Sequence, residues 1–118
     1  MTRHHWLPAL ALAFVAIAGS AQAADGAKLF QLQCKTCHGA KSSPMGPALA
    51  GVAGRKIAGL ADFSYSAGLK AKAGTWTDAN LDAYLAGPSK FAPGTRMPTG
   101  VAAAPDRVAV IGYLKTLK

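Results

Sequence analysis

At 118 residues, with 51% apolar side chains and only two cysteines, the chain has room for one small domain and too few thiols for a disulfide framework. Thirteen Lys and Arg against five Asp leave a net charge of +8, which suits an anionic partner without choosing its kind. The basic residues stand singly among alanines and glycines, with neither a basic run nor interleaved aromatics, and that distribution excludes a nucleic-acid platform.

The first segment in chain order is a leader. Arg3 gives a positive start, residues 6–18 form an uncharged apolar run of 13, and Ala21-Gln22-Ala23 is a small-residue cleavage site. Thirteen residues fall short of the ~20 that span a bilayer, and Pro8 weakens the helix further. The pattern predicts a secretory signal peptide over residues 1–23, cleaved to leave a single periplasmic domain over residues 24–118 with no stable membrane insertion. That domain keeps 12 of the 13 basic residues and all five aspartates, a net +7.

Asp25 can cap a helix running to about Lys35, with Gly26, Leu29 and Phe30 near one face and Cys34 delivered at its end. There the run Cys34-Lys35-Thr36-Cys37-His38 forms C-x-x-C-H, the attachment signature for c-type haem. Two thiols at this spacing reach the two vinyl groups on one porphyrin edge and add across them as thioethers, while His38 lies beneath the iron as an axial ligand. Three other chemistries fit less well. Tetrahedral zinc needs four ligands, and the remaining histidines, His4 and His5, lie in the leader. A redox dithiol belongs in a βαβ unit, and nothing near Cys34 alternates as a strand does. A disulfide across so short a loop would staple little chain.

Residues 39–59, rich in glycine and containing Pro44 and Pro47, read as a long loop, and residues 66–72 as a short helix weakened by Gly68. Thr77 can cap a helix from Asp78 to about Ala86, stopped by Gly87-Pro88, with Leu81, Tyr84 and Leu85 on one face. Residues 88–104 read as a second long loop. Loops of this length in a small domain point to function, here the wrapping of a cofactor's two faces. Pro105 then suits the first turn of a helix running to about Leu117, with Val110, Tyr113, Leu114 and Leu117 as its apolar stripe. The architecture is all-α, and the two terminal helices pack together. Gly26 and Gly112 lack the side chains that would hold such a crossing apart, although Gly112 fits equally well as a glycine that is merely tolerated. A haem would supply the core that a domain this small lacks, so the haem-free chain is expected to be loosely folded.

With these elements in order, the chain resembles class I c-type cytochromes, the small soluble kind that includes mitochondrial cytochrome c and bacterial periplasmic relatives. The likeness is carried by Gly26 and Phe30, the Cys34–His38 pentapeptide, Gly46-Pro47-Ala48-Leu49 and Gly54-Arg55-Lys56. It continues through Phe63-Ser64-Tyr65, Thr75-Trp76-Thr77, Leu81-Asp82-Ala83-Tyr84-Leu85, Pro93-Gly94-Thr95-Arg96-Met97 and Gly112-Tyr113-Leu114-Lys115. The resemblance implies the cytochrome c fold around one covalently bound haem c. It implies Met97 as the sixth iron ligand, with Met45, on the loop covering the histidine side, as the rival thioether. It implies that the Pro47 carbonyl accepts a hydrogen bond from His38, that Tyr65 and Trp76 donate to a buried haem propionate near Arg55, and that the Tyr84 hydroxyl stands beside the methionine sulfur.

An iron with both axial positions filled has no open site for substrate, so the implied function is one-electron transfer and not enzymatic catalysis. Lys28, Lys35, Lys90 and Arg96 fall, by the resemblance, around the exposed haem edge. There they would steer acidic redox partners to a monomeric carrier: an oxidase, a quinol-oxidising complex, a periplasmic dehydrogenase or a photosynthetic reaction centre. Two departures bear on the partner. Residues 98–104 lack the lysines of mitochondrial relatives, and Gln33 replaces a lysine before the first haem cysteine. An easily displaced Met97 would instead make the chain a haem-based gas sensor or weak peroxidase.

Overall fold

The computed structural model describes residues 24–118 together with Ala13, so the signal peptide predicted over residues 1–23 lies, that one residue aside, outside the described residues. Among the described residues five helices follow one another: α1 (Gly26–Gln33), α2 (Ala67–Lys70), α3 (Asp78–Ala86), α4 (Pro88–Phe91) and α5 (Ala104–Leu114). Among the described residues β pairing is limited to isolated antiparallel bridges between Ser43 and Gly46 and between Lys56 and Thr75. The all-α class expected from the sequence is the class observed.

The helix starts follow local chemistry. Asp25 accepts the Lys28 N–H at 3.2 Å, and Ser66 accepts the Leu69 N–H at 3.3 Å. Thr77 and Asn80 satisfy each other's backbone N–H groups at 3.2 and 2.7 Å, a reciprocal capping box. Four boundaries differ from the predicted ones. α2 keeps only Ala67–Lys70 of the expected residues 66–72. α1 ends at Gln33 and not Lys35, because both Cys34 and Lys35 direct their N–H groups to the Phe30 carbonyl and the regular register is lost. α5 ends at Leu114 and not Leu117, since the last N–H groups turn to carbonyls three residues back, Thr116 to Tyr113 and Leu117 to Leu114. The segment expected as loop from residue 88 opens with a helical turn, α4: Pro88 sets the backbone for it, and the Phe91 and Ala92 N–H groups bond to Gly87 and Pro88.

α1 crosses α5, and α3 packs against both α4 and α5. The crossing rests on Gly26. A methyl group there would overlap the Ala109 carbonyl oxygen and stand 3.1 Å from Tyr113 Cβ. Phe30 and Tyr113 then meet with ring centroids 5.1 Å apart. Gly112 plays no part in it, contrary to one of the two roles open to it: it is exposed, and a side chain there would meet nothing within 4 Å. The helical period explains the difference, since residues 109 and 113 face α1 while 112 lies round the helix from them.

Val110, Ile111 and Leu114 of α5 join Leu81, Tyr84 and Leu85 of α3 in the core. Beside them Trp76, Tyr84 and Phe91 form a triangle of rings with centroids 5.3, 5.5 and 5.9 Å apart, contacts that add about 0.5–1.5 kcal/mol each beyond burial. Arg107 of α5, its side chain only 14% exposed, donates from Nε to Asp82 of α3 at 2.7 Å. Among the described residues no helix is long and apolar enough to cross a membrane.

Candidate functional site

The turn that follows α1 carries the C-x-x-C-H residues. Cys34 bonds back to Phe30 at 2.8 Å, and Cys37 and His38 both bond back to the Cys34 carbonyl at 3.1 and 2.9 Å, so the pentapeptide winds as one coil. Both thiols are unpaired and half-buried, and burial pushes the Cys34 thiol above its ordinary value.

His38 is oriented from outside this coil. Its Nδ1 lies 2.8 Å from the Pro47 carbonyl oxygen; a carbonyl only accepts, so Nδ1 carries a proton, and in the neutral ring it is Nε2 that holds the lone pair. The turn that delivers Pro47 is closed by Ser43 and Gly46, each donating its N–H to the other's carbonyl at 3.0 and 3.2 Å. Gly46 is buried against the coil. A methyl group at this position would lie 2.7 Å from the Cys37 carbonyl oxygen and 3.1 Å from two atoms of the imidazole. An apolar cleft of about 180 Å³ opens beside His38, with Phe30, Leu49 and Leu117 in its walls.

The expected partners of a buried carboxylate fall into two groups. Arg55 and Trp76 are held together by backbone bonds, Trp76 N–H to the Arg55 carbonyl and Gly54 N–H to the Trp76 carbonyl, both 2.8 Å. The Arg55 guanidinium donates to the Ala50 and Ala48 carbonyls at 3.2 and 3.1 Å, while its Nε–H is buried with no partner among the described residues. Tyr65 is anchored separately: its hydroxyl accepts the Leu60 N–H at 3.3 Å, and its ring stands edge-on to Phe63 with centroids 4.9 Å apart.

Met97 is half-buried on the segment after α4 and packs against the core, whereas Met45 is 67% exposed. The Met97 N–H donates to Thr95 Oγ1 at 3.4 Å, and Thr95 pairs with the Tyr84 hydroxyl at 2.7 Å, so Tyr84 and Met97 are linked through Thr95. Burial pushes the Tyr84 phenol above its ordinary value, opposed in part by the bond with Thr95. Gly46 and Thr95 fall within the runs that carry the resemblance without a role assigned to them, whereas the role of Arg107 is set by a partner 25 residues away and no local pattern marks it.

This donor set suits a haem. It offers two free thiols and a tautomer-fixed imidazole beside an apolar cleft, together with an orphaned buried cationic donor that calls for an anionic acceptor. The fold and the donors together define a small helical haem-binding domain of the electron-transfer kind. The family model described as Cytochrome c matches residues 23–118, and the chain belongs to that family, as a class I c-type cytochrome. It is similar to cytochrome c of Tetrahymena pyriformis, 42% identical over 97 residues that cover 80% of this chain and 88% of that one. It is also similar to the cytochrome c-type cyt cy of Rhodobacter capsulatus, 43% identical over 103 residues, 86% of this chain and 51% of that longer protein. Among solved structures, cytochrome cH from Methylobacterium extorquens superposes with a TM-score of 0.71 at 38% identity, covering 79% of this chain and 99% of that one. The chain is accordingly an electron carrier and not an enzyme, with one covalently attached haem c as its cofactor.

Proposed function

We propose that Cys34 and Cys37 would hold the haem through thioether bonds, that His38 Nε2 and the Met97 sulfur would ligate its iron, and that the carrier serves a respiratory or photosynthetic chain. The observation that carries this is the 2.8 Å bond from His38 Nδ1 to Pro47, which leaves Nε2 free for a metal and holds the ring in one orientation. When bound, the haem supplies one-electron chemistry between ferric and ferrous iron. Pro47 fixes the plane of the imidazole. Arg55, through its Nε–H, would balance the charge of a propionate that is costly to bury alone, with Tyr65 and Trp76 as neutral hydrogen-bond donors to it. Met97 contributes a soft, neutral thioether that favours the ferrous state, with Tyr84 tuning it through Thr95.

Export gives the thiols the compartment in which haem attachment is completed, and the apolar run with Ala21-Gln22-Ala23 supports cleavage after Ala23 to release the periplasmic domain of residues 24–118. Lys28, Lys35, Lys90 and Arg96 are all exposed, which supports steering of acidic partners such as an oxidase, a quinol-oxidising complex, a periplasmic dehydrogenase or a reaction centre. Electron exchange with such a partner should slow as salt is added; a rate insensitive to ionic strength rules the steering out. The ligand set is tested by Met97→Ala, which removes the weak far-red iron–thioether absorption of the oxidised protein. Survival of that absorption overturns the assignment of Met97.

A further inference from the structure

The segment between α4 and α5 carries Met97, and each of its ends is seated by backbone lying directly against backbone. At the first end, Gly68 of α2 lies under Pro93. A methyl group on Gly68 would overlap the Pro93 carbonyl oxygen and come within 3.1 Å of the carbonyl carbons of both Ala92 and Pro93. At the second end, Gly100 lies against the close of α3, where a methyl group would overlap the Leu85 carbonyl oxygen and stand 3.0 Å from Pro88 Cδ. Neither glycine has a positive φ, so the requirement at both positions is space and not backbone freedom.

Side chains reinforce both seats. Beside Gly68, the Arg96 guanidinium sits over the Phe63 ring at 5.6 Å and Lys72 Nζ over the Phe91 ring at 4.4 Å, which fastens residues 63–72 to residues 91–96. Beside Gly100, the Val101 N–H donates to the Leu85 carbonyl at 2.7 Å. Arg107 Nη1 donates to the Val101 and Ala102 carbonyls at 3.1 and 2.7 Å while Nε holds Asp82. A glycine inside so short a helix as α2 is locally unfavourable by about 1 kcal/mol against alanine, so position 68 opposes its own helix and favours the contact with Pro93.

We infer that Gly68 and Gly100 are positioning residues for Met97: by admitting a neighbouring backbone at each end, they set where the loop lies and how firmly it holds the thioether. The consequence for the iron rests on Met97 being its ligand, whereas the placement of the loop does not. A methyl group at either glycine pushes one end of the loop outward, because the obstructing atoms are backbone and cannot rotate away. The displaced loop opens more often, and a competing ligand gains access.

The test uses the holoprotein with Gly68→Ala and Gly100→Ala made singly, and Gly112→Ala, whose site has open space, as the control. Amide hydrogen exchange over residues 91–101 should quicken about tenfold or more in each loop variant and not quicken in the control. In the same variants the far-red absorption should weaken, and carbon monoxide added to the reduced protein should bind about tenfold faster. Unchanged exchange in both glycine variants overturns the inference. If exchange quickens but Met97→Ala keeps the far-red absorption, the ligand assignment fails and the positioning of the loop stands. Should Gly68→Ala not accumulate with haem, Phe63→Leu combined with Lys72→Gln loosens the same end without a backbone clash. That pair is expected to quicken exchange at residues 91–97, and unchanged exchange there overturns the role of the first seat.

Discussion

The two proposed iron ligands are positioned by different kinds of structure. His38 belongs to a coil continuous with α1, and its ring is fixed by one bond to a carbonyl nine residues away. Met97 sits on a segment with little regular structure of its own, fixed by α2, α3 and α5 at once. A local ligand needs one orienting contact because the chain has already delivered it. A remote ligand needs a frame assembled from the whole fold, and it inherits the stability of that frame.

That contrast can be broken most severely at the attachment residues. Replacing Cys34 and Cys37 with alanine should abolish covalent haem and the cooperative melt followed by far-UV circular dichroism, because the polypeptide core alone is small. A sharp melt of the haem-free chain would show instead that the helices suffice. On the histidine side, Gly46→Ala should cost about 1–3 kcal/mol, since the Cys37 carbonyl and the imidazole both stand in the way of the new methyl group. In a domain of this size each kcal/mol lowers Tm by about 4–8 °C, and an unchanged Tm would mean that the turn yields at no cost.

On the methionine side the expected effects are smaller and depend on pH. Burial raises the Tyr84 phenol above its ordinary value of 10.0, an effect partly offset by the Thr95 bond. Folded and unfolded forms are both neutral below that value, and above it the unfolded chain loses its proton first. Tyr84 therefore contributes its full stability below about pH 10, and that contribution fades as the pH rises toward the folded value. Tyr84→Phe should flatten the alkaline fall in Tm, and a slope identical to the parent's would exclude Tyr84 as its source. The smallest effect is a gain. Gly112→Ala, in open space on α5, should raise stability by about 0.5–1 kcal/mol in urea unfolding, whereas Gly26→Ala lowers it.

What could be foreseen from the sequence follows the same division. α3 was legible because its start and stop are local: Thr77 caps it, and Gly87-Pro88 ends it. The Cys34–His38 pentapeptide was legible because spacing alone aligns its three groups, and the resemblance supplied Pro47. The partners of Arg107 were not, since Asp82 lies 25 residues away and nothing local joins them. Gly26 and Gly112 look alike in the sequence and differ only in which side of a helix faces its neighbour. α4 was hidden for a third reason: a single turn is too short to show a period.

The crossing of α1 and α5 also sets how the chain must fold. Gly26 and Ala109 touch although some eighty residues separate them, so their contact closes nearly the whole domain into one ring. Closing a ring of that size costs about 4 kcal/mol of chain entropy, and doubling its length would add only ~0.6 kcal/mol. Exposed turns between the two helices can therefore lengthen at little thermodynamic cost, while a single methyl group at Gly26 obstructs the clasp of the ring itself.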